Sequence, residues 1–247
     1  MNCKVNVNNL NVSYYGNEVV KNVSFSFETG NLIGIVGPNG AGKSTMLKAV
    51  LGLIPKDSGN VEICGKSIEH VRKKIAYVPQ RSNIDWDFPI IVRDTVLLGT
   101  YPHLGLFKRP GKKEKEWAAQ CLEKVGMQNF NARQIAELSG GQQQRVFLGR
   151  ALAQKADYFF LDEPFVGIDV ASEEVIIKIL KQLRDQGKTI FVVHHDLSKV
   201  ETYFDDLILI NKELYGAGPV NKVFRPENME KCFKMRIGLS ASLGGGV

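Results

Sequence analysis

The stretch Gly37-Pro38-Asn39-Gly40-Ala41-Gly42-Lys43-Ser44-Thr45 follows the apolar run Leu32-Ile33-Gly34-Ile35-Val36 and precedes Met46-Leu47-Lys48-Ala49-Val50-Leu51. The first run suits a buried strand and the last a helix, so the chain must pass from strand to helix through a three-glycine turn. Such a turn lets backbone N–H groups close around an anion, and the helix that follows adds the positive end of its dipole. The match to G-x-x-x-x-G-K-[ST] is complete and reads as a P-loop: Lys43 reaches outer phosphates and the Ser44 hydroxyl is placed to hold Mg²⁺. An ordinary glycine turn would leave the lysine and the hydroxyl at those two offsets unexplained.

The chain has 247 residues, 44% hydrophobic and 23% charged, enough for one large or two closely joined globular domains. No uninterrupted apolar run of about 18 residues suggests a membrane span. The start Met1-Asn2-Cys3-Lys4-Val5-Asn6 lacks the pattern of a secretory signal, so a cytoplasmic setting is expected. The net charge of +6 and a pI near 9.0 suit anionic lipid, nucleic acid or a polyanionic nucleotide equally, and do not decide the partner. Lys108-Arg109-Pro110-Gly111-Lys112-Lys113 is a short basic cluster of the kind found in solvated loops. Cys3, Cys64, Cys121 and Cys232 are scattered with no C-x-x-C pair, which predicts idle buried thiols, with neither a zinc site nor a disulfide framework.

Residues 3–36 read as β-structure. Val5, Val7, Val12 and Tyr14 follow a period of two broken near Asn8-Asn9, and Val23, Phe25 and Phe27 alternate with polar residues. Tyr14 and Tyr15 precede a turn at Gly16-Asn17, where either ring can stack on a base or close a strand edge. Strands are predicted at 60–64 and 75–79, the second ended by Pro79 with Gln80 at its mouth, free to reach a phosphate-bound Mg²⁺ or to face solvent. Residues 81–135 then change character. Helices are predicted at 94–99 and 114–125, forming a helical insert in a βα-type core, and Trp86, Phe88 and Pro89 look exposed enough for a contact surface.

Leu138-Ser139-Gly140-Gly141-Gln142 opens a further helix, predicted over 143–154. Ser139 can cap it, and the glycines give a ligand close access to free N–H groups. Tyr158-Phe159-Phe160-Leu161 is a buried strand whose tip carries Asp162 and Glu163, where open α/β sheets place their chemistry. Asp162 can order waters around Mg²⁺, while Glu163 points another way and can polarise an attacking water. A helix over 172–186 sets Val175, Ile176, Ile179, Leu180 and Leu183 on one side, with Lys178, Lys181 and Arg184 outside. The strand 189–193 delivers His194 and His195 to the same sheet edge. Adjacent strand residues point to opposite faces, so one metal ion is not expected to take both. Leu207 to Leu214 resembles a closing hairpin, and Gly244-Gly245-Gly246 a flexible end.

These motifs in this order resemble the ATP-binding subunit of an ABC transporter, over about residues 3–235. In that resemblance 37–45 is Walker A, Gln80 the Q-loop glutamine and Leu-Ser-Gly-Gly-Gln at 138–142 the signature. Residues 158–162 match Walker B, with Glu163 the catalytic glutamate; Gly167-Ile168-Asp169 matches the D-loop, His195 the switch histidine, and Tyr14 the adenine-stacking aromatic, with Tyr15 as alternative. Gly167-Ile168 departs slightly from the commoner D-loop pairing, and His194 stands where Thr or Ser is more usual.

The resemblance implies an α/β P-loop NTPase fold: a RecA-like core, an antiparallel β subdomain and a helical subdomain at about 81–150. It implies one domain over 1–247 with a short tail at about 236–247. ATP and Mg²⁺ are the implied cofactors, with Ser44, Gln80 and Asp162 toward the metal. Lys43, Gln80, Glu163 and His195 are the implied catalytic set. Gly37 to Thr45, Ser139 to Gln142, and Asp169 are implied around the nucleotide. The partners implied are a second, head-to-tail copy of the chain, a membrane permease and, indirectly, a solute-binding protein, at the cytoplasmic face of the membrane and without nucleic acid.

A finer resemblance lies in Val78-Pro79-Gln80-Arg81-Ser82-Asn83-Ile84-Asp85-Trp86-Asp87-Phe88-Pro89, Phe165-Val166-Gly167-Ile168-Asp169 and Val193-His194-His195-Asp196. These are similar to ATPases of the manganese, zinc and iron importer branch, most of all its manganese-type members. The function implied is ATP hydrolysis driving uptake of a divalent metal, with manganese expected first and zinc, iron or chelated iron as alternatives. A soluble ABC ATPase acting on nucleic acid or ribosomes is the rival from another class.

Overall fold

The computed structural model describes residues 3–86, 88–105 and 108–233. The expected C-terminal tail and Asp87 lie outside the described residues. The first half runs β1 (Lys4–Tyr14), β2 (Asn17–Glu28), β3 (Leu32–Val36), α1 (Lys43–Val50), β4 (Ser58–Ile63), β5 (Lys66–Ser67), α2 (Ile68–Val71) and β6 (Ile75–Val78). There follow α3 (Val92–Leu97), α4 (Lys112–Lys124), α5 (Gly140–Ala153), β7 (Tyr158–Leu161) and α6 (Val170–Asp185). The chain then continues through β8 (Thr189–Val193), α7 (Val200–Tyr203), β9 (Asp206–Asn211), β10 (Glu213–Pro219), α8 (Val220–Val223) and α9 (Pro226–Phe233).

Two sheets form. The antiparallel one has the order β2-β1-β4-β5, and the larger one β10-β9-β3-β8-β7-β6, parallel from β9 to β6 with β10 antiparallel at one edge. The β1–β2 register shifts between Val7 and Leu10, where Asn9 takes φ 50°, which is the break in alternation seen at Asn8-Asn9.

Strict alternation in the central strands divides the core in two. Ile33, Ile35, Phe160, Phe191 and Val193 face α1 and the antiparallel sheet, while Leu32, Val36, Phe159, Leu161, Ile190 and Val192 face the helical side with α5 and α6. The parallel strands thus carry apolar residues on both faces, and all five residues of β3 and of β8 are buried. Their C-terminal ends align at one sheet edge, with β3 seated between β8 and β9.

Several expectations are adjusted. The helix expected from 143 begins at Gly140, because Ser139 caps it. The helix expected at 94–99 starts at Val92 and gives way to a 3₁₀ segment, Leu98–His103. On α6, Ile177 is buried in place of Val175, which is 38% exposed. Trp86 is not a free surface ring: it packs edge-on against Phe147 at 5.5 Å and donates from Nε1 to the Arg81 carbonyl, while Phe88 and Pro89 remain exposed. Cys3 and Cys64 are joined by a disulfide, contrary to the expectation of idle thiols; β1 and β4 pair Val5 with Ile63 and bring the flanking residues together. Cys121 and Cys232 are buried free thiols. Among the described residues no helix is long and apolar enough to cross a membrane, and no cluster of three or more His, Cys, Asp or Glu residues is arranged to hold a metal ion.

Candidate functional site

The P-loop leaves β3 at Gly37 and enters α1 through Gly42, whose φ of 87° belongs to the left-handed region. A side chain there would also strike the Val19 carbonyl of β2, so both conformation and space demand glycine. Lys43 is buried and donates from Nζ to the carbonyls of Gly37 at 2.8 Å and Pro38 at 2.9 Å. Burial lowers its pKa, against the pull of Glu163 and Asp162. Asn39 and Gly40 form the exposed tip of the loop, Ala41 is buried behind it, and Thr45 follows Ser44 into α1.

Ser44 donates its hydroxyl to Asp162 Oδ1 at 2.6 Å. Asp162 is fully buried at the end of β7, and burial raises its pKa while the Ser44 hydrogen bond opposes that. An acidic oxygen and a hydroxyl in direct contact are a hard-oxygen pair of the kind Mg²⁺ takes along with substrate phosphates, so these residues fit the metal. Tyr77, on β6, directs its hydroxyl toward the second Asp162 oxygen at 3.5 Å. The sequence pattern gave no sign of this contact, although Tyr77 lies on a strand ending at the same edge.

Glu163 takes φ 51°, unusual for a residue with a side chain, and so leaves the strand in a new direction. Its Oε2 accepts from Gln80 Nε2 at 2.6 Å. The structure therefore brings Gln80 to Glu163, and Ser44 to Asp162. His195 is exposed just beyond β8, its ring 5.8 Å from that of His194.

The signature segment is built as a capping box. Gln142 N–H donates to Ser139 Oγ at 3.4 Å, and Ser139 N–H donates to Gln142 Oε1 at 2.9 Å. Its neighbours lie in the D-loop region. A side chain at Gly141 would collide with Ser172, and one at Gly140 would meet the Gly167 carbonyl at 2.8 Å. Asp169 caps α6, accepting from Ser172 N–H and Ser172 Oγ, each at 2.8 Å, and these bonds hold its carboxyl below the usual value. Arg81, to which the sequence alone gives no individual role, donates to Gln143 Oε1 at 3.0 Å and lies over Trp86, tying the segment after Gln80 to the helix that follows Ser139. Tyr14 ends β1 at 42% exposure and Tyr15 stands fully exposed at the hairpin turn.

Comparison with known proteins bears on the family and the fold. The ABC transporter family matches residues 20–166. The manganese transport system ATP-binding protein MntB of Halalkalibacterium halodurans is 56% identical over 95% of this chain and 93% of its own. The zinc transport system ATP-binding protein TroB of Treponema pallidum is 49% identical over 94% of this chain and 88% of its own. Among solved structures, an inward-facing ABC transporter described as metal-chelate type superposes with TM-score 0.84 at 27% identity, covering 95% of this chain and 90% of that one. The dimeric structure of a bacterial ABC transporter cassette superposes with TM-score 0.78 at 28% identity, over 87% of this chain and 98% of that one. The chain belongs to the ABC transporter family, as one of its ATP-binding subunits.

Proposed function

We propose that this chain hydrolyses Mg-ATP to drive uptake of a divalent metal ion, manganese, through a separate membrane permease supplied by a solute-binding protein. The observation that carries the catalytic part is the separation of two adjacent carboxylates, Asp162 held by Ser44 and Glu163 held by Gln80. Manganese is supported by the full-length similarity to MntB, and zinc, through TroB, is the alternative cargo.

In this reading Lys43 exchanges the Gly37 and Pro38 carbonyls for phosphate oxygens, and the P-loop amides, including those at the start of α1, take the remaining charge. Ser44 and Asp162, with Gln80 nearby, would hold Mg²⁺, which would supply neutralisation of phosphate charge. Glu163 accepts a hydrogen bond from the attacking water and aligns it. His195 senses the γ-phosphate from the end of β8, and Tyr14 stacks on the adenine.

Ser139 to Gln142 offer a second helix N-terminus to phosphate, but their neighbours are Gly167 and Ser172, so we assign them, with Asp169, to the nucleotide of a second copy packed head to tail. The dimeric bacterial cassette supports that assembly. The permease would sit against the exposed Phe88 and Tyr101 of the helical subdomain, at the cytoplasmic face of the membrane. A deletion strain tests the cargo: uptake of labelled manganese should fall severalfold and return with the wild-type gene. Unchanged manganese uptake with lost zinc or iron uptake moves the assignment to that metal, and ATPase stimulation by ribosomes or DNA with no transport defect refutes the transporter reading.

A further inference from the structure

His194 is 1% exposed, and neither ring nitrogen has a hydrogen-bond partner. Its backbone N–H is fixed to the Ile35 carbonyl at 2.9 Å, which locks the residue at the end of β8 beside the P-loop strand. The ring lies among four others, Phe165 at 5.4 Å, Phe204 at 5.5 Å, His195 at 5.8 Å and Tyr203 at 5.9 Å between centroids. Apart from His195, these neighbours come from two stretches of the chain, Phe165 from one and Tyr203 and Phe204 from the other. Phe165 is two residues beyond Glu163 and four before Asp169, Tyr203 ends α7, and the Phe204 ring rests against Gly34 of β3. The next residue along the chain is His195.

A polar cluster borders this aromatic nest. Glu173, in the first turn of α6, accepts from Lys199 Nζ at 2.6 Å, and Lys199 also lies 3.7 Å from Asp196. Lys199 Nζ also lies 5.9 Å from the centroid of the Tyr203 ring. His195, Asp196, Glu173 and Lys199 are the charged and titratable groups that act on His194. The α6 turn carrying Glu173 is the one capped by Asp169, so the cluster joins the D-loop helix to the segment after His195. Burial keeps the His194 ring neutral, its pKa lowered to about 4, leaving it one donor and one acceptor.

A buried imidazole with both nitrogens unpaired is disfavoured relative to an apolar ring of similar shape. The nitrogens therefore contribute nothing to this conformation, whereas polar partners stand at the edge of the nest. We propose that His194 is a positioning residue coupling the Glu163–Asp169 segment to the switch histidine, its ring gaining a hydrogen bond from the Glu173–Tyr203–Lys199 cluster when His195 moves onto nucleotide. This rests on the ATPase reading above.

The test compares the wild-type full chain with His194→Phe and His194→Asn, each assembled with its permease. His194→Phe should melt at or above the wild-type temperature and keep KM for ATP, with kcat about five- to tenfold lower, the size of one hydrogen bond gained on the way to the transition state. His194→Asn, which retains a polar nitrogen and oxygen close to the backbone, should recover part of that kcat. Wild-type kcat in His194→Phe, or equal loss in both variants, overturns the coupling. Should His194→Phe not fold, ¹⁵N spectra of wild-type histidine rings decide: a non-hydrolysable ATP analogue with Mg²⁺ should shift the His194 ring signals, and unmoved signals in nucleotide-saturated protein overturn it. Absence of ATP hydrolysis by the wild type would instead refute the ATPase reading.

Discussion

Gln80 donates to Glu163 across 2.6 Å while Asp162, the preceding residue, accepts from Ser44 at the same 2.6 Å. One peptide bond separates the two carboxylates, yet they serve different partners because Glu163 turns out of the strand with φ 51°. The edge formed by β3, β6, β7 and β8 thereby carries two hydrogen-bonded pairs side by side, Ser44–Asp162, proposed to hold the metal, and Gln80–Glu163, proposed to orient water.

Removing the Gln80 amide leaves Glu163 without the donor that aims it. Gln80→Ala should lower kcat about 10- to 100-fold, the equivalent of a hydrogen bond to a charged group, with KM for ATP changed far less. Steady-state phosphate release measures both constants, and an unchanged kcat would detach Gln80 from the catalytic carboxylate.

The proposed role of Asp162 toward Mg²⁺ requires the ionised carboxylate, and burial raises its pKa. The sign follows: above its folded pKa the buried charge costs the free protein stability, and that cost is relieved as pH falls through that pKa. The stabilisation given by Mg-ATP should move the opposite way, shrinking on acidification from a pH above the usual carboxylate range. Melting curves with and without Mg-ATP across pH test this. Asp162→Asn should show little Mg²⁺-dependent shift at any pH, and a pH-independent shift in the wild type would contradict the assignment.

Gly141 packs against Ser172 so closely that a methyl group has no room. Gly141→Ala should displace the signature turn from the D-loop helix while leaving the P-loop of its own chain intact. ATP binding to the isolated chain should therefore stay within about twofold of wild type, while ATP-dependent dimerisation should weaken by about 10-fold or more, an overpacking cost of the usual size. Equilibrium binding and sedimentation measure the two separately.

His194 has its pKa lowered from 6.5 to about 4 by burial, with the His195 charge adding to the effect. The unfolded chain binds the proton first, so stability attributable to this residue is fully present above about pH 6.5 and falls as pH drops toward 4, by about 3 kcal/mol in all. Chemical denaturation between pH 7 and 4.5 should show a shallower slope in His194→Phe than in the wild type, and parallel slopes would refute the sign.

The sequence carried the strand-turn-helix at 32–51, the helix start at Ser139 and the acidic strand tip, because each combines a hydrophobic period with residues whose chemistry has few other uses. It carried the break at Asn8-Asn9 for the same reason. What it lacked was three-dimensional neighbourhood. Nothing local to Cys3 or Cys64 says that β1 and β4 pair, and nothing local to Glu163 requires a positive φ. Trp86 looks like a surface ring until Phe147 of α5 is placed beneath it. The nest around His194 draws on segments separated by tens of residues, and no period in the chain announces it.

In the proposed assembly each chain holds only half of an ATP site, with Ser139 to Gln142 of a second copy completing the half built on Gly37 to Thr45. The decisive variant is Glu163→Gln, which removes the carboxylate proposed to align water and keeps a side chain of the same size. Size-exclusion chromatography of this variant with Mg-ATP should show a stable dimer that dissociates without nucleotide, with phosphate release reduced at least about 100-fold. A protein that remains monomeric with Mg-ATP bound, or that releases phosphate at the wild-type rate, would contradict the account.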